Sequence, residues 1–273
     1  MTVRAANAPL VVFTDLDGTL LNHHDYSWQD AAGALGRLNH LGIPWILNSS
    51  KTRAEMVQLR HELGNAHPFV TENGAAVHVP AGYFEPEAPA AVELLGPPRR
   101  DMLRTLHALR TEHGFDFLGF ADMSLEALRR HTGLDAAAAR NAAERDGTEP
   151  LLWRDTTRPP EALRTALEAE GLRLVRGGRF FHAMGDIHKG RATQWLIDRY
   201  RQHSPGVVSV ALGDSPNDLE MLRTVDYSVV IPRASGEPLD PGPLTHLLRA
   251  PRPGAAGWGW AMEHLLDQLL EET

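Results

Sequence analysis

The sequence predicts an α/β protein: a Rossmann-like parallel-sheet core into which a large α+β cap domain is inserted. Three observations carry that expectation. Short apolar runs at 10–13, 43–47 and 207–212 each lead into a polar turn and then a helix-like segment, the mark of strands buried on both faces of a parallel sheet. The rhythm stops near Tyr83, where Pro86, Pro89, Pro97 and Pro98 crowd together, and resumes after Gly185. At 273 residues the chain is also longer than a single compact core usually accommodates.

Taken in order, a strand is expected over 10–14, a helix over 28–41, a strand over 43–48, a helix over 52–63 and a strand over 69–71. This alternation calls for right-handed crossovers between parallel strands. Thr52-x-x-Glu55 is a capping-box pattern and Gly64 a stop for the same helix, while Asn73-Gly74 suits a turn into a hairpin strand over 75–79. The insert, residues 83–184, offers helices over 99–113, 124–131, 135–141 and 160–170, with strands over 115–120, 151–153, 172–176 and 179–183. A helix over 189–201, a strand over 207–212, a helix over 216–225 and a strand over 227–231 return the chain to its α/β rhythm. In the closing helix, 259–270, Met262, Leu265, Leu266 and Leu269 fall on one face and Glu263, Asp267 and Glu271 on another. The core domain is therefore expected to comprise 1–82 and 185–273.

Composition narrows the function. With 42% hydrophobic and 23% charged residues the chain reads as globular, and no run is long enough to span a bilayer. Met1 to Pro9 lacks an apolar core of signal-peptide length, so a cytoplasmic protein without membrane partners is expected, as monomer or homodimer. The net charge of −8, with Lys and Arg scattered, argues against a nucleic-acid partner, whereas a small phosphorylated substrate needs only a few local cations or a metal. The absence of cysteine excludes thiolate zinc sites, iron–sulfur clusters and cysteine nucleophiles. The 14 histidines show no helical metal-ligand spacing.

Four motifs sit at predicted element ends. Asp15-Leu16-Asp17-Gly18-Thr19 follows the first strand, where ligands of open α/β sheets bind, and its two-residue spacing points both carboxylates to one side. Asp, Gly and Thr are equally ordinary turn formers. Asn48-Ser49-Ser50-Lys51-Thr52 joins the second strand to its helix, with donors suited either to phosphate or to helix capping. Lys189-Gly190 places a cation at a helix N-terminus, which the helix dipole disfavours unless an anion lies close by. Gly213-Asp214-Ser215-Pro216-Asn217-Asp218 follows the strand over 207–212; capping explains Ser215 and Pro216 but not Asp214.

Together and in this order the motifs resemble those of the haloacid dehalogenase-like phosphohydrolases. The resemblance spans the whole chain. It implies that Asp15 is the nucleophile and Asp17 the general acid and base, and that Ser49 and Lys189 bind the phosphoryl group. Mg²⁺ would be held by Asp15, Asp17 and Asp214, with Asn217 and Asp218 in a supporting shell. The insert lies where sugar-phosphate phosphatases of this family carry their larger cap. Ser49-Ser50-Lys51-Thr52, Glu72-Asn73-Gly74, Gly177-Gly178-Arg179-Phe180-Phe181-His182 and the Asp214 motif look like those of mannosyl-3-phosphoglycerate phosphatases, whereas Asp186-Ile187-His188 departs from the pattern. Substrate contacts are then expected from Ser50, Lys51, Arg53, Glu72, Asn73, Arg179 and His182, although Asn73-Gly74 is equally a turn. Phosphatases of glucosyl-3-phosphoglycerate or of a disaccharide phosphate, a phosphomutase-like transferase and a non-catalytic phosphosugar-binding regulator stay open.

Overall fold

A computed structural model describes residues 10–177, 179–233 and 238–271. Met1 to Pro9, read above as lacking a leader, and Gly178 of the Arg179 motif lie outside the described residues. The core begins β1 (Leu10–Thr14), α1 (Ala32–His40), β2 (Trp45–Asn48), α2 (Arg53–Glu62), β3 (Phe69–Thr71), β4 (Ala76–Val79) and β5 (Ala91–Leu94). The insert adds α3 (Arg99–His113), β6 (Phe117–Gly119), α4 (Leu125–Thr132), α5 (Ala136–Ala143), β7 (Thr148–Trp153), α6 (Glu161–Ala169), β8 (Arg173–Arg176) and β9 (Phe181–Met184). The core then closes with α7 (Lys189–His203), β10 (Val208–Gly213), α8 (Leu219–Thr224), β11 (Tyr227–Val230), β12 (Leu247–Arg249) and α9 (Gly254–Glu271).

The core sheet runs β12-β11-β10-β1-β2-β3-β4-β5, parallel from β12 to β3, with β4 and β5 antiparallel at one edge. β1 pairs with β10 on one side and β2 on the other, so the chain runs outward in both directions from this centre. All five β1 residues are buried, and they alternate between two layers. Leu10 and Val12 pack with Leu35, Leu38, Trp258 and Met262 of α1 and α9, while Val11 and Phe13 pack with Leu196 and Met221 of α7 and α8. Period-two burial on both faces is what a central parallel strand requires. The consequence for function is positional: β1, β2 and β10 end side by side, and each delivers its motif to the same rim.

The cap sheet, β6-β7-β9-β8, is antiparallel and has its own apolar core, in which Leu151 and Ala183 meet Met102, Leu106, Leu163 and Leu167 of α3 and α6. The insert starts later than the expected residue 83. Tyr83 and Phe84 are buried in the core, and β5 pairs with β4, because the prolines set turns that bring the chain back to the sheet edge before it leaves. Asn73-Gly74 is part of a 3-10 turn over Glu72–Gly74 rather than a two-residue hairpin turn, with Glu72 and Asn73 both left-handed (φ 53° and 57°). Gly74, at φ 99°, lies so close to the His188 carbonyl that a β-carbon would stand 2.4 Å from it. Only glycine fits there.

Cap and core are joined at this turn. The buried Glu72 carboxylate accepts hydrogen bonds from the Asp146 amide (2.7 Å), the Gly147 amide (3.3 Å) and the Thr148 hydroxyl (2.5 Å), with Arg145 3.8 Å away. A second contact, from the Thr52 hydroxyl to the Asn141 carbonyl (2.7 Å), seats α5 on the start of α2. Glu72→Ala should lower the unfolding free energy by about 1–3 kcal/mol, since three cap donors lose their acceptor, and Glu72→Gln should lower it less. Urea unfolding of the two variants checks this.

Two buried histidines give the core an acid limit. His67 bonds the Tyr83 hydroxyl and His78 the Thr71 hydroxyl; burial, and then Arg60 for His67 and Arg53 and Arg60 for His78, pull both down from 6.5 to about 4. The unfolded chain takes up these protons first, so the stability they contribute is complete above pH 6.5 and is lost as the pH falls from there towards 4. A His67→Gln, His78→Gln variant should show a flatter acid limb in thermal midpoints measured from pH 7 to 4.

Candidate active site

The site is built on Lys189. This first residue of α7 is fully buried, and its ammonium lies 2.5 Å from Asp15 Oδ1 and 2.7 Å from Asp218 Oδ1. A buried ammonium at the positive end of a helix is doubly unfavourable alone, and two carboxylates offset both penalties. Burial pulls the Lys189 ammonium down, but Asp15 and Asp218 outweigh it, so its proton is held more tightly than in water. Asn48, at the end of β2, ties the helix start in place by donating from Nδ2 to the Lys189 carbonyl (3.2 Å) and the Thr193 hydroxyl (3.1 Å).

Asp15 leaves β1 with its amide bonded to the Leu212 carbonyl of β10. Its own carbonyl accepts from Thr14 Oγ1, which in turn accepts from the buried Trp258 indole of α9. Burial first, then Asp218, raise the Asp15 carboxyl from 3.8 to about 7 against the opposing pull of Lys189. Asp214, at the end of β10, is likewise raised by burial and by Asp218. Thr19 donates to Asp214 Oδ1 (3.4 Å), and Gly18, at φ 87°, passes so near that a β-carbon would lie 2.8 Å from Asp214 Oδ2.

Asp15, Asp214 and Asp218 can place one oxygen each within 4.8 Å of one another. Asp218 is already committed: Oδ1 takes Lys189, and Oδ2 accepts from the Asp214 amide (3.1 Å), the Ser215 amide (3.0 Å) and the Ser215 hydroxyl (3.0 Å). That leaves Asp15 and Asp214 to face the rim. Three carboxylates against one ammonium is an anionic surplus, and hard oxygen donors in such a surplus suit a small divalent cation such as Mg²⁺. The donor set therefore fits the metal expected from the sequence.

Asp17 is partly exposed. Its Oδ2 is bound by Lys51 Nζ at 2.8 Å, while Oδ1 is buried without a hydrogen-bond partner. Burial pulls Lys51 down, but Asp17 more than compensates and the net direction is up. Lys51, expected on substrate, is thus turned to Asp17. Ser49 is buried, its hydroxyl accepting from the Lys51 amide (3.2 Å), and Ser50 is exposed beside it. Asn73 accepts from Asn217 (3.1 Å), bridging the cap hinge to the Asp214 loop.

Other expected substrate contacts lie elsewhere. The Glu72 carboxylate faces the cap loop and not the rim, because three donors there satisfy it. Arg53 is exposed on α2. Arg179 donates to the His131 carbonyl at the end of α4, and His182, on β9, is pulled to about 4 by burial and by Arg145. Several residues of the rim were not anticipated. A cavity of about 350 Å³ beside Asp17, Gly18 and Asp214 is walled by Asn22, His23, His24, Asp25, Gly254 and Arg233. Arg233 follows β11, and the rule that ligands gather beyond parallel strand ends is the signal that would have found it.

Comparison with known proteins agrees with this geometry. A family model described as haloacid dehalogenase-like hydrolase matches residues 12–88 and 182–238, the two parts of the core. Proteins named glucosyl-3-phosphoglycerate/mannosyl-3-phosphoglycerate phosphatase from Persephonella marina and Methanococcoides burtonii are 37% and 36% identical to it, over 95% and 94% of this chain and 98% and 97% of theirs. Among solved structures, a Thermoplasma acidophilum protein superposes with a TM-score of 0.66 at 15% identity, over 95% of this chain and 98% of that one. A phosphatase of the haloalkanoate superfamily from Bacteroides thetaiotaomicron does so with 0.65 at 16%, over 93% and 94%. These two likenesses speak for the fold alone. With its strand-end carboxylates, its inserted cap and relatives above 30% identity along nearly its full length, the chain belongs to the haloacid dehalogenase-like hydrolases and is a phosphatase among them.

Proposed function

We propose that the enzyme hydrolyses glycosyl-3-phosphoglycerates, mannosyl or glucosyl, to the glycosylglycerate and phosphate through an aspartyl-phosphate on Asp15. The observation that carries the chemistry is the buried Asp15–Lys189–Asp218 cluster with Asp214 and Asp17 at its rim. The relatives' names support the substrate, which would make the product a compatible solute formed in the cytoplasm. No described helix is long and apolar enough to cross a membrane.

In this reading the Asp15 carboxylate attacks phosphorus as the ester P–O bond breaks, and Asp17 gives its proton to the departing glycerate oxygen. Asp17 then takes a proton from water, the water oxygen attacks phosphorus, and the P–O bond to Asp15 breaks to release phosphate. Lys189 stays within reach of charge that builds on the phosphoryl oxygens, and Ser49 offers its hydroxyl to the same group. Asp218 is a positioning residue that holds Lys189 and the 214–215 backbone together. Mg²⁺, held by Asp15, Asp214 and the Asp17 main chain, would supply Lewis-acid screening between the anionic nucleophile and the anionic substrate.

Exhaustive chelation should lower aryl phosphate hydrolysis at least about 100-fold, and added Mg²⁺ should restore it. Turnover untouched by chelation would remove the metal from this account. Asp17→Asn should separate the half-reactions. With an aryl phosphate whose leaving group departs without a proton, rapid quench should show a burst of phenol near one equivalent per enzyme, with phosphate retained on Asp15 by intact mass. Normal steady-state turnover by that variant would mean that Asp17 does not activate water.

A further inference from the structure

Resting on the glycosyl-phosphoglycerate reading, we propose that Arg233 is the residue that recognises the substrate's carboxylate, and that this recognition belongs to the core rather than to the cap. The first ground is place. Of the residues lining the cavity against Asp17 and Asp214, none comes from the cap among the described residues. A phosphoglycerate carboxylate carbon is four bonds from phosphorus, so it binds close to the phosphoryl site, within reach of the core loops that line this cavity. Arg233 is the one Lys or Arg of that lining among the described residues.

The second ground is availability. Of the other cations that sequence and geometry bring forward, Lys189 is engaged with Asp15 and Asp218, Lys51 with Asp17 and Arg179 with the His131 carbonyl, while Arg53 is exposed on α2 and is not part of the cavity lining. Arg233 is exposed, and its ion-pair neighbour among the described residues is Asp214, at 3.8 Å from Nε, too far for a hydrogen bond. Asp214 is itself assigned above to cation binding. The guanidinium therefore keeps its planar pair of N–H donors for an incoming group, and that fork matches a carboxylate better than an ammonium would. Asp25, a further acidic residue of the lining, accepts from the Ser27 amide of its own loop (2.9 Å).

The third ground is specificity. Phosphate and metal contacts are common to every phosphomonoester, so they cannot separate a phosphoglycerate derivative from a simple sugar phosphate. A cation beside Asp214, in the cavity against Asp17, can, because the neutral analogue offers it no carboxylate.

The test compares Arg233→Ala and Arg233→Lys on glucosyl-3-phosphoglycerate, on the analogue whose carboxylate is reduced to an alcohol, and on p-nitrophenyl phosphate. Arg233→Ala should lose roughly 10- to 100-fold in kcat/KM on the carboxylated substrate, mainly through KM, and less than about threefold on the other two. Arg233→Lys should recover part of the loss. Equal losses on all three substrates would show that Arg233 serves the phosphoryl or cation site and would overturn the inference, as would no loss on any. If the wild-type enzyme prefers the carboxylated substrate and Arg233→Ala keeps that preference, the inference fails and the substrate reading stands. If the wild-type enzyme shows no preference over the alcohol, the substrate reading fails and takes the inference with it.

Discussion

One constraint organises this molecule: carboxylates must be gathered tightly enough to manage a phosphoryl group without driving the site apart. Lys189 resolves most of it. Its buried ammonium meets Asp15 from β1 and Asp218 from the loop after β10, two segments roughly 200 residues apart in sequence that only the β1–β10 pairing makes neighbours. The remaining surplus appears as the raised Asp15 and Asp214 carboxyls, and in both the leading cause is burial and the next is Asp218. A site that discourages its own ionisation in this way is one in which an added cation is strongly favoured.

The same loops carry the coupling between domains. The Glu72–Gly74 turn has its Glu72 amide on the Lys51 carbonyl and its Asn73 amide on the Ser49 carbonyl. Its Asn73 side chain meets Asn217, Gly74 presses on His188, and Glu72 receives the cap segment at 146–148. Two consecutive non-glycine residues in the left-handed region cost of order 1–3 kcal/mol each, and the surrounding bonds over-determine them. The strain thus falls where the segments bearing Ser49, Lys189 and Asn217 meet the cap. Asp146 of the cap is thus linked through Glu72 to the backbone that presents Ser49 and Lys51.

Much of this was legible in the sequence because parallel α/β sheets leave simple traces. Continuous apolar runs marked β1, β2 and β10, and the polar residues that ended each run were the ones the fold brings to a common rim. Lys189 was visible as a cation at the wrong end of a helix, an anomaly that the two carboxylates explain. Side-chain direction was not legible. Glu72-Asn73-Gly74 reads as a turn, and nothing in those letters says that the Glu72 carboxylate points to residue 146 instead of to the rim. β5 was hidden because its four residues, Ala91–Leu94, follow a run of prolines that resembles a linker. β12 was hidden by its length, three residues between Thr245-His246 and Ala250-Pro251.

The division of labour between core and cap follows from distance. On the proposed mechanism, in which Asp15 fixes where phosphorus sits, groups attached close to phosphorus fall within reach of the strand-end loops of the core, whereas the cap sheet is built around a separate apolar core. Groups further out, such as a glycosyl ring, extend beyond those loops and can meet the cap where α5 rests on Thr52. On that reading two recognition tasks fall to two structural units, each with its own sheet and apolar core. On the proposed function, a cap could vary with the sugar while the rim met the part of the substrate next to phosphorus. Such an arrangement would suit relatives whose name joins glucosyl and mannosyl substrates while keeping the phosphoglycerate part common to both.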